Sequence, residues 1–136
     1  MQARGILETA IYAGDLDAAE AFWRDVIGLE RILKVAGRHV FFRCGDGVLL
    51  VFNPDATALP PSDPAMPVPP HGAHGPGHVC FRASGDEIEA WRAHLQDHGI
   101  GIEADFRWPN GARSIYFRDP AGNSIEFAEP SIWGLE

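Results

Sequence analysis

The interval from Asp15 to Gly28-Leu29 is as long as the interval from Asp86 to Gly99-Ile100, and each sits between one β-type run and three more. A chain that states one plan twice must fold as two similar units, which removes most topologies from consideration. In the first repeat, Ile6-Leu7-Glu8-Thr9-Ala10-Ile11-Tyr12 alternates loosely between glycines and predicts a strand. Asp15 is placed to cap a helix whose apolar stripe is Leu16, Ala19, Phe22, Trp23, Val26 and Ile27, ending at Gly28. Strands follow over 30–36, 39–44 and 48–52, separated by Gly37-Arg38 and Gly45-Asp46-Gly47. The second repeat predicts a strand over 78–82, a helix over 86–98 with Ile88, Trp91 and Leu95 inward, and strands over 103–107, 112–118 and 124–129. Phe41-Phe42-Arg43-Cys44-Gly45-Asp46-Gly47 runs parallel to Tyr116-Phe117-Arg118-Asp119-Pro120-Ala121-Gly122. The expectation is one α+β domain over 1–136, with a βαβββ module at 6–53, a second at 78–130, and mixed curved sheets.

Between the modules, 54–77 holds prolines at 54, 60, 61, 64, 67, 69, 70 and 76 and no periodic apolar pattern. Proline density stiffens such a segment toward an extended form, so it reads as a linker that spans distance. A long linker also lets module one of one chain pair with module two of another, and a homodimer is expected. With 136 residues, 46% of them hydrophobic, the chain can build a core without disulfides. Its two cysteines, Cys44 and Cys80, fit no Cys-x-x-Cys pattern, and no signal-like or membrane-spanning run occurs. A reduced, cytoplasmic protein is the expectation. A net charge of −8 repels nucleic acid and anionic membrane and leaves a small molecule, or another protein, as the expected partner.

The chemistry concentrates where a strand carries an acid. In 124–127, Ile125 and Phe127 point to one face and Ser124 and Glu126 to the other. Burying a carboxylate costs several kcal/mol unless it is paired or holds a cation, so Glu126 needs a partner. Overlaying the repeats brings Glu8 and His78 to the opening strand of each module and Glu126 to the closing strand of the second. Glu8, His78 and Glu126 form a three-residue donor set on one face, suited to a divalent ion with positions open for substrate or water. The fourth symmetric position is Leu50 or Val51, depending on register, and neither can ligate. Tyr12, Cys80, Arg82 and Tyr116 project onto the same face by alternation; Tyr116 is a candidate catalytic group beside Glu126. His74, like His71, lies just upstream of His78 as a candidate acid–base group. Trp108 and Trp133 fall in loop or terminal segments, suited to a pocket rim.

The repeated βαβββ plan, Gly77-His78-Val79-Cys80-Phe81, Phe117-Arg118-Asp119-Pro120-Ala121-Gly122-Asn123 and Glu126 together resemble the vicinal oxygen chelate superfamily. That superfamily includes glyoxalase I, extradiol dioxygenases and bleomycin-binding proteins. The resemblance implies two sheets around a cleft and a divalent ion (Fe, Mn, Ni or Zn) held at the positions of Glu8, His78 and Glu126. Two positions depart from better-known members: Glu8 stands where extradiol dioxygenases carry a first histidine, and Leu50 or Val51 replaces the fourth ligand of glyoxalase I. Three functions follow from the resemblance. The first is a metal-dependent lyase or isomerase of glyoxalase type, the second a ring-cleaving dioxygenase, and the third a binder of a cationic drug.

Overall fold

The computed structural model describes residues 1–136, and the chain divides into two compact units, Met1–Gly75 and Pro76–Glu136. In unit one, strand β1 (Glu8–Tyr12) is followed by helix α1 (Leu16–Ala21), which widens into a π-helical turn over Phe22–Val26. Strands β2 (Glu30–Val35), β3 (His39–Cys44) and β4 (Gly47–Phe52) complete the unit's sheet in the order β1-β4-β3-β2, with β1 parallel to β4 and the other pairs antiparallel. Asp15 caps α1 as its sequence position predicts, its Oδ1 accepting from the Ala18 amide at 2.9 Å. The helix buries Leu16, Ala19, Phe22, Trp23 and Ile27, and it packs on β3 and β4, whose Val40, Phe42, Leu49 and Val51 are buried. Each such side chain contributes about 1.5–3 kcal/mol on leaving water. Buried Glu20 ties this helix to β2, taking Lys34 Nζ at 2.6 Å and Arg31 NH1 at 2.9 Å.

Unit two repeats the plan. Strand β5 (His78–Arg82) leads into a helix over Gly85–Asp97, and strands β6 (Ala104–Arg107), β7 (Arg113–Arg118) and β8 (Ser124–Ala128) form the sheet β5-β8-β7-β6. The helix starts one residue earlier than expected. Ser84 Oγ accepts from the Glu87 amide at 3.3 Å while Glu87 Oε2 accepts from the Ser84 amide at 2.7 Å, a reciprocal cap that outcompetes Asp86. Ile88 and Leu95 are fully buried on the sheet, and Trp91 stacks on Phe127 with ring centres 4.5 Å apart. Ile115, Phe117, Ile125 and Phe127 form the sheet's side of this core, so the alternate side chains of β7 and β8 lie on the face away from the helix.

The segment expected to be an extended linker departs from that reading at both ends. Asn53 caps a one-turn helix, α2 (Pro54–Thr57), and the His71 amide returns to the Thr57 carbonyl at 3.0 Å. His71 Nδ1 meets the Tyr12 hydroxyl at 2.8 Å, and His74 Nε2 meets Asp55 Oδ1 at 2.8 Å. A Cβ added to Gly72 would lie 2.8 Å from the Pro54 carbonyl oxygen, so only glycine fits there. Three side-chain and backbone bonds thus tie residues 71–74 to β1 and α2 of unit one, which ends at Gly75. No helix is long and apolar enough to cross a membrane.

Candidate active site

Strand register builds the site in module two. In the parallel pair β5–β8, His78 lies opposite Ser124 and Cys80 opposite Glu126, while the antiparallel pair β7–β8 sets Tyr116 against Glu126. Cys80, Glu126 and Tyr116 therefore form one row across the sheet face opposite the helix, with His78 one pleat further along β5. Glu126 is buried, and its Oε2 lies 3.3 Å from His78 Nε2. His78 Nδ1 lies 3.0 Å from the Ser124 carbonyl, which can only accept, so the ring proton sits on Nδ1. Nε2 then faces a carboxylate oxygen, an arrangement that calls for a proton or a cation between them. Glu126 Oε1 is buried and has no hydrogen-bond partner. Both features fit a metal ligand pair, whose imidazole is oriented through its second nitrogen by a backbone carbonyl.

A turn anchored by buried Asp119 and Asn123 holds His78 in place. Asn123 Oδ1 accepts from the Gly77 amide at 2.8 Å, and Asn123 Nδ2 donates to Asp119 Oδ2 at 2.9 Å. Asp119 Oδ1 takes the Asn123 amide at 2.8 Å, and Gly122 closes the turn at φ 84°, where a side chain would be strained. Burial pushes the Asp119 carboxyl up against the lowering effect of these bonds. The Ser124 amide then donates to the Gly77 carbonyl at 2.9 Å, so the residue before His78 is gripped from both sides.

A pocket of about 500 Å³ opens over this row, lined by His78, Cys80, Trp108, Pro109, Asn110, Tyr116, Glu126, Ile132 and Trp133. Tyr116 is stacked between His78, 6.2 Å away, and Phe106, 5.9 Å away. Burial, reinforced by Glu126, pushes its phenol up to about 12, and burial together with Glu126 does the same for the Cys80 thiol. Both groups keep their protons at neutral pH; Tyr116 is a hydrogen-bond donor there and Cys80 is not a thiolate.

Of the residues singled out in the sequence, His78, Glu126, Tyr116, Cys80, Trp108 and Trp133 share this pocket. Arg82 does not line it; its guanidinium donates to the Glu136 carbonyl. Tyr12, His71 and His74 belong to unit one, where Tyr12 pairs with His71 and exposed His74 pairs with Asp55. Glu8 opens β1 as His78 opens β5, and is exposed. Ala10 lies opposite Leu50 as Cys80 lies opposite Glu126, so Leu50, not Val51, is the module-one counterpart of Glu126. No group of three or more His, Cys, Asp and Glu side chains gathers as a metal cluster. Pro109, Asn110 and Ile132 are pocket residues that strand alternation could not reveal, because they come from the β6–β7 loop and the turn after β8.

Two βαβββ modules of identical strand order, the second carrying a buried acid beside a half-exposed imidazole in an aromatic-lined pocket, define a duplicated-module protein of glyoxalase type. The chain belongs to the Glyoxalase/Bleomycin resistance protein/Dioxygenase superfamily, whose family model matches residues 5–127. Among solved structures it is similar to lactoylglutathione lyase from Agrobacterium tumefaciens, at 48% identity over 99% of this chain and 100% of that one, with a TM-score of 0.94. It is also similar to a glyoxalase family protein from Enterococcus faecalis, at 25% identity over 93% and 98% of the two chains, with a TM-score of 0.69. An integron cassette protein from the mobile metagenome of Halifax Harbour, at 21% identity over 93% and 99% and a TM-score of 0.73, shares the fold.

Proposed function

We propose that the chain is a divalent-metal-dependent enzyme of the glyoxalase (lyase or isomerase) type, acting on a small molecule with two adjacent oxygens. The observation that carries this reading is the Glu126–His78 pair: an imidazole nitrogen and a carboxylate oxygen 3.3 Å apart, with the second carboxylate oxygen buried and unpartnered. The 48% identity to a protein described as a lactoylglutathione lyase supports the reaction class. His78 and Glu126 would hold the ion, with Glu8 of module one as the third donor, in a cytoplasmic homodimer. Bound there, a divalent ion supplies Lewis-acid polarisation of substrate oxygens and fixes their orientation.

The remaining work falls to the chain's own groups. The Ser124 carbonyl holds the His78 proton on Nδ1 and leaves Nε2 free to bind. Glu126 is the proton carrier: a carboxylate oxygen with no partner accepts a proton from the carbon beside the two oxygens and returns it to the neighbouring carbon, so that substrate and product have the same composition. Tyr116, protonated up to about 12, donates a hydrogen bond to a substrate oxygen. Aromatic side chains line the space in which the transfer occurs. His74, paired with Asp55, is assigned the role of a second acid–base group from unit one.

Metal analysis of protein purified without an affinity tag tests the proposal, together with light scattering and turnover assays after loading with Mn²⁺, Fe²⁺, Ni²⁺ or Zn²⁺. The expected result is about one ion per chain, a dimer, and turnover abolished by chelator. Protein that neither binds nor responds to any of the four ions would overturn the enzyme reading and leave a binding protein in its place.

A further inference from the structure

We propose that the module-two pocket seats an uncharged aromatic group attached next to the substrate's two oxygens, and that a peptide conjugate bearing two carboxylates is a poor fit for it. The proposal deepens the function just stated and rests on its placement of the oxygens at His78 and Glu126.

The walls carry the first part of the argument. Trp108 Nε1 is committed to Ser114 Oγ at 2.8 Å, and its ring packs 4.9 Å from Phe106, so it offers a ligand only its π system. Trp133 faces the same pocket from the short 3₁₀ turn Pro130–Trp133. The two walls are tied together by Asn110, whose Nδ2 donates to the Ser131 carbonyl at 3.0 Å and whose Oδ1 accepts from the Ala112 amide at 3.2 Å. The only amide side chain in the lining is therefore spent on structure. With Ile132 and Pro109 beside the indoles in the lining, the pocket offers apolar ring faces next to a donor pair.

Charge carries the second part. Unit two has no lysine and five arginines, Arg82, Arg92, Arg107, Arg113 and Arg118, and none of them lines the pocket. Each is already engaged. Arg82 donates to the Glu136 carbonyl; Arg92 and Arg113 meet Asp105 at 3.5 and 2.8 Å; Arg107 meets Glu129 at 3.7 Å; and Arg118 meets Glu103 at 2.6 Å. A carboxylate brought into this slot would lose its water and gain no cationic side chain from unit two, an unfavourable exchange. A neutral ring loses only water it binds weakly.

The test compares 2-hydroxyacetophenone, a neutral aryl ketol, with hydroxyacetone, in which a methyl replaces the ring, and with S-lactoylglutathione. Binding to Mn²⁺-loaded and chelator-treated full-length protein is followed by calorimetry and tryptophan fluorescence. The aryl ketol is expected to bind at least tenfold tighter than hydroxyacetone and tighter than S-lactoylglutathione. Trp133→Ala is expected to cost the aryl ketol about tenfold and hydroxyacetone almost nothing; because Trp133 is 78% exposed, melting should stay at the wild-type temperature. Trp108→Phe should cost the aryl ketol less than Trp133→Ala, since a ring is kept. Equal affinity for the two ketols, tighter binding of S-lactoylglutathione, or a Trp133→Ala variant with unchanged ring preference would overturn the proposal. A ring preference that persists in protein unable to bind metal would support the aromatic slot while sinking the metal-enzyme reading, and turnover of S-lactoylglutathione in preference to the aryl ketol would do the reverse.

Discussion

Replacing Glu126 with glutamine should have opposite consequences with and without metal. In the metal-free protein, Oε2 faces His78 Nε2 at 3.3 Å and Oε1 is buried without a partner. An amide nitrogen in the Oε2 position would donate to Nε2 without the added proton that wild type needs to bridge the same pair, a hydrogen bond worth about 0.5–1.5 kcal/mol, and a neutral oxygen left at the Oε1 position costs less than a charged one. A net gain of about 1–2 kcal/mol is expected. For a domain of this size each kcal/mol moves Tm by about 4 °C, so Glu126→Gln should melt roughly 4–8 °C above wild type in chelator. Wild type with an ion at about 100 times its Kd should gain about 2.7 kcal/mol, roughly 10 °C, and the variant should gain almost none of it. Melting curves of both proteins, each in chelator and in Mn²⁺, decide the matter. A variant that melts below wild type in chelator, or one that keeps the full metal-induced shift, would refute the reasoning.

Asn123→Ala removes the acceptor of the Gly77 amide and the donor to Asp119 from a side chain that is 1% exposed. It should lower unfolding free energy by about 3 kcal/mol in urea titrations, and a loss below about 1 kcal/mol would mean that the turn does not grip His78 as described. Glu20 is held below the usual carboxylate range chiefly by its hydrogen bond to Lys34, with Arg31 adding to the effect. A carboxyl depressed in the folded state contributes stability above its ordinary pKa and loses it as the pH falls through the folded value; the Tm gap between wild type and Glu20→Gln should therefore be widest near pH 6 and close below pH 4. Tyr116→Phe should lower kcat about tenfold with little change in Tm. Because the phenol holds its proton up to about 12, the pH profile between 6 and 10 should keep its shape, and a lost basic limb would instead assign that limb to Tyr116.

Local pattern carried the strands and helices because each had a period and a boundary of its own, and the equal spacing from Asp15 to Gly28 and from Asp86 to Gly99 made the duplication visible without any structure. Alternation along β5, β7 and β8 was enough to place His78, Cys80, Tyr116 and Glu126 on one face. What stayed hidden was non-local. Choosing between Leu50 and Val51 needed the pairing of β1 with β4. The docking of residues 71–74 depends on partners up to 59 positions away, so a proline-rich composition pointed to a free linker instead. Arg82 shows a different limit: its strand position faces the site, but a side chain that long can turn away, and it reaches Glu136. Asn110 and Ile132 come from loops 22 positions apart that only tertiary structure joins.

The grip of Asn123 on Gly77 makes the length of the 119–123 turn a dimension of the chemistry as well as of the fold. That turn sets where β8 begins, and so decides which residue lies opposite Cys80. One residue more or fewer would leave two strands still able to pair, but it would rotate Glu126 toward the helix and bring Ile125 or Phe127 under the pocket. It would also move the Ser124 carbonyl away from His78 Nδ1 and free the ring to change tautomer. Donor identity, donor spacing and the protonation state of the imidazole would fail together. A designer wishing to vary the substrate slot can redraw the loop carrying Trp108 and the turn carrying Trp133, both outside that register, but has no such freedom between Asp119 and Asn123.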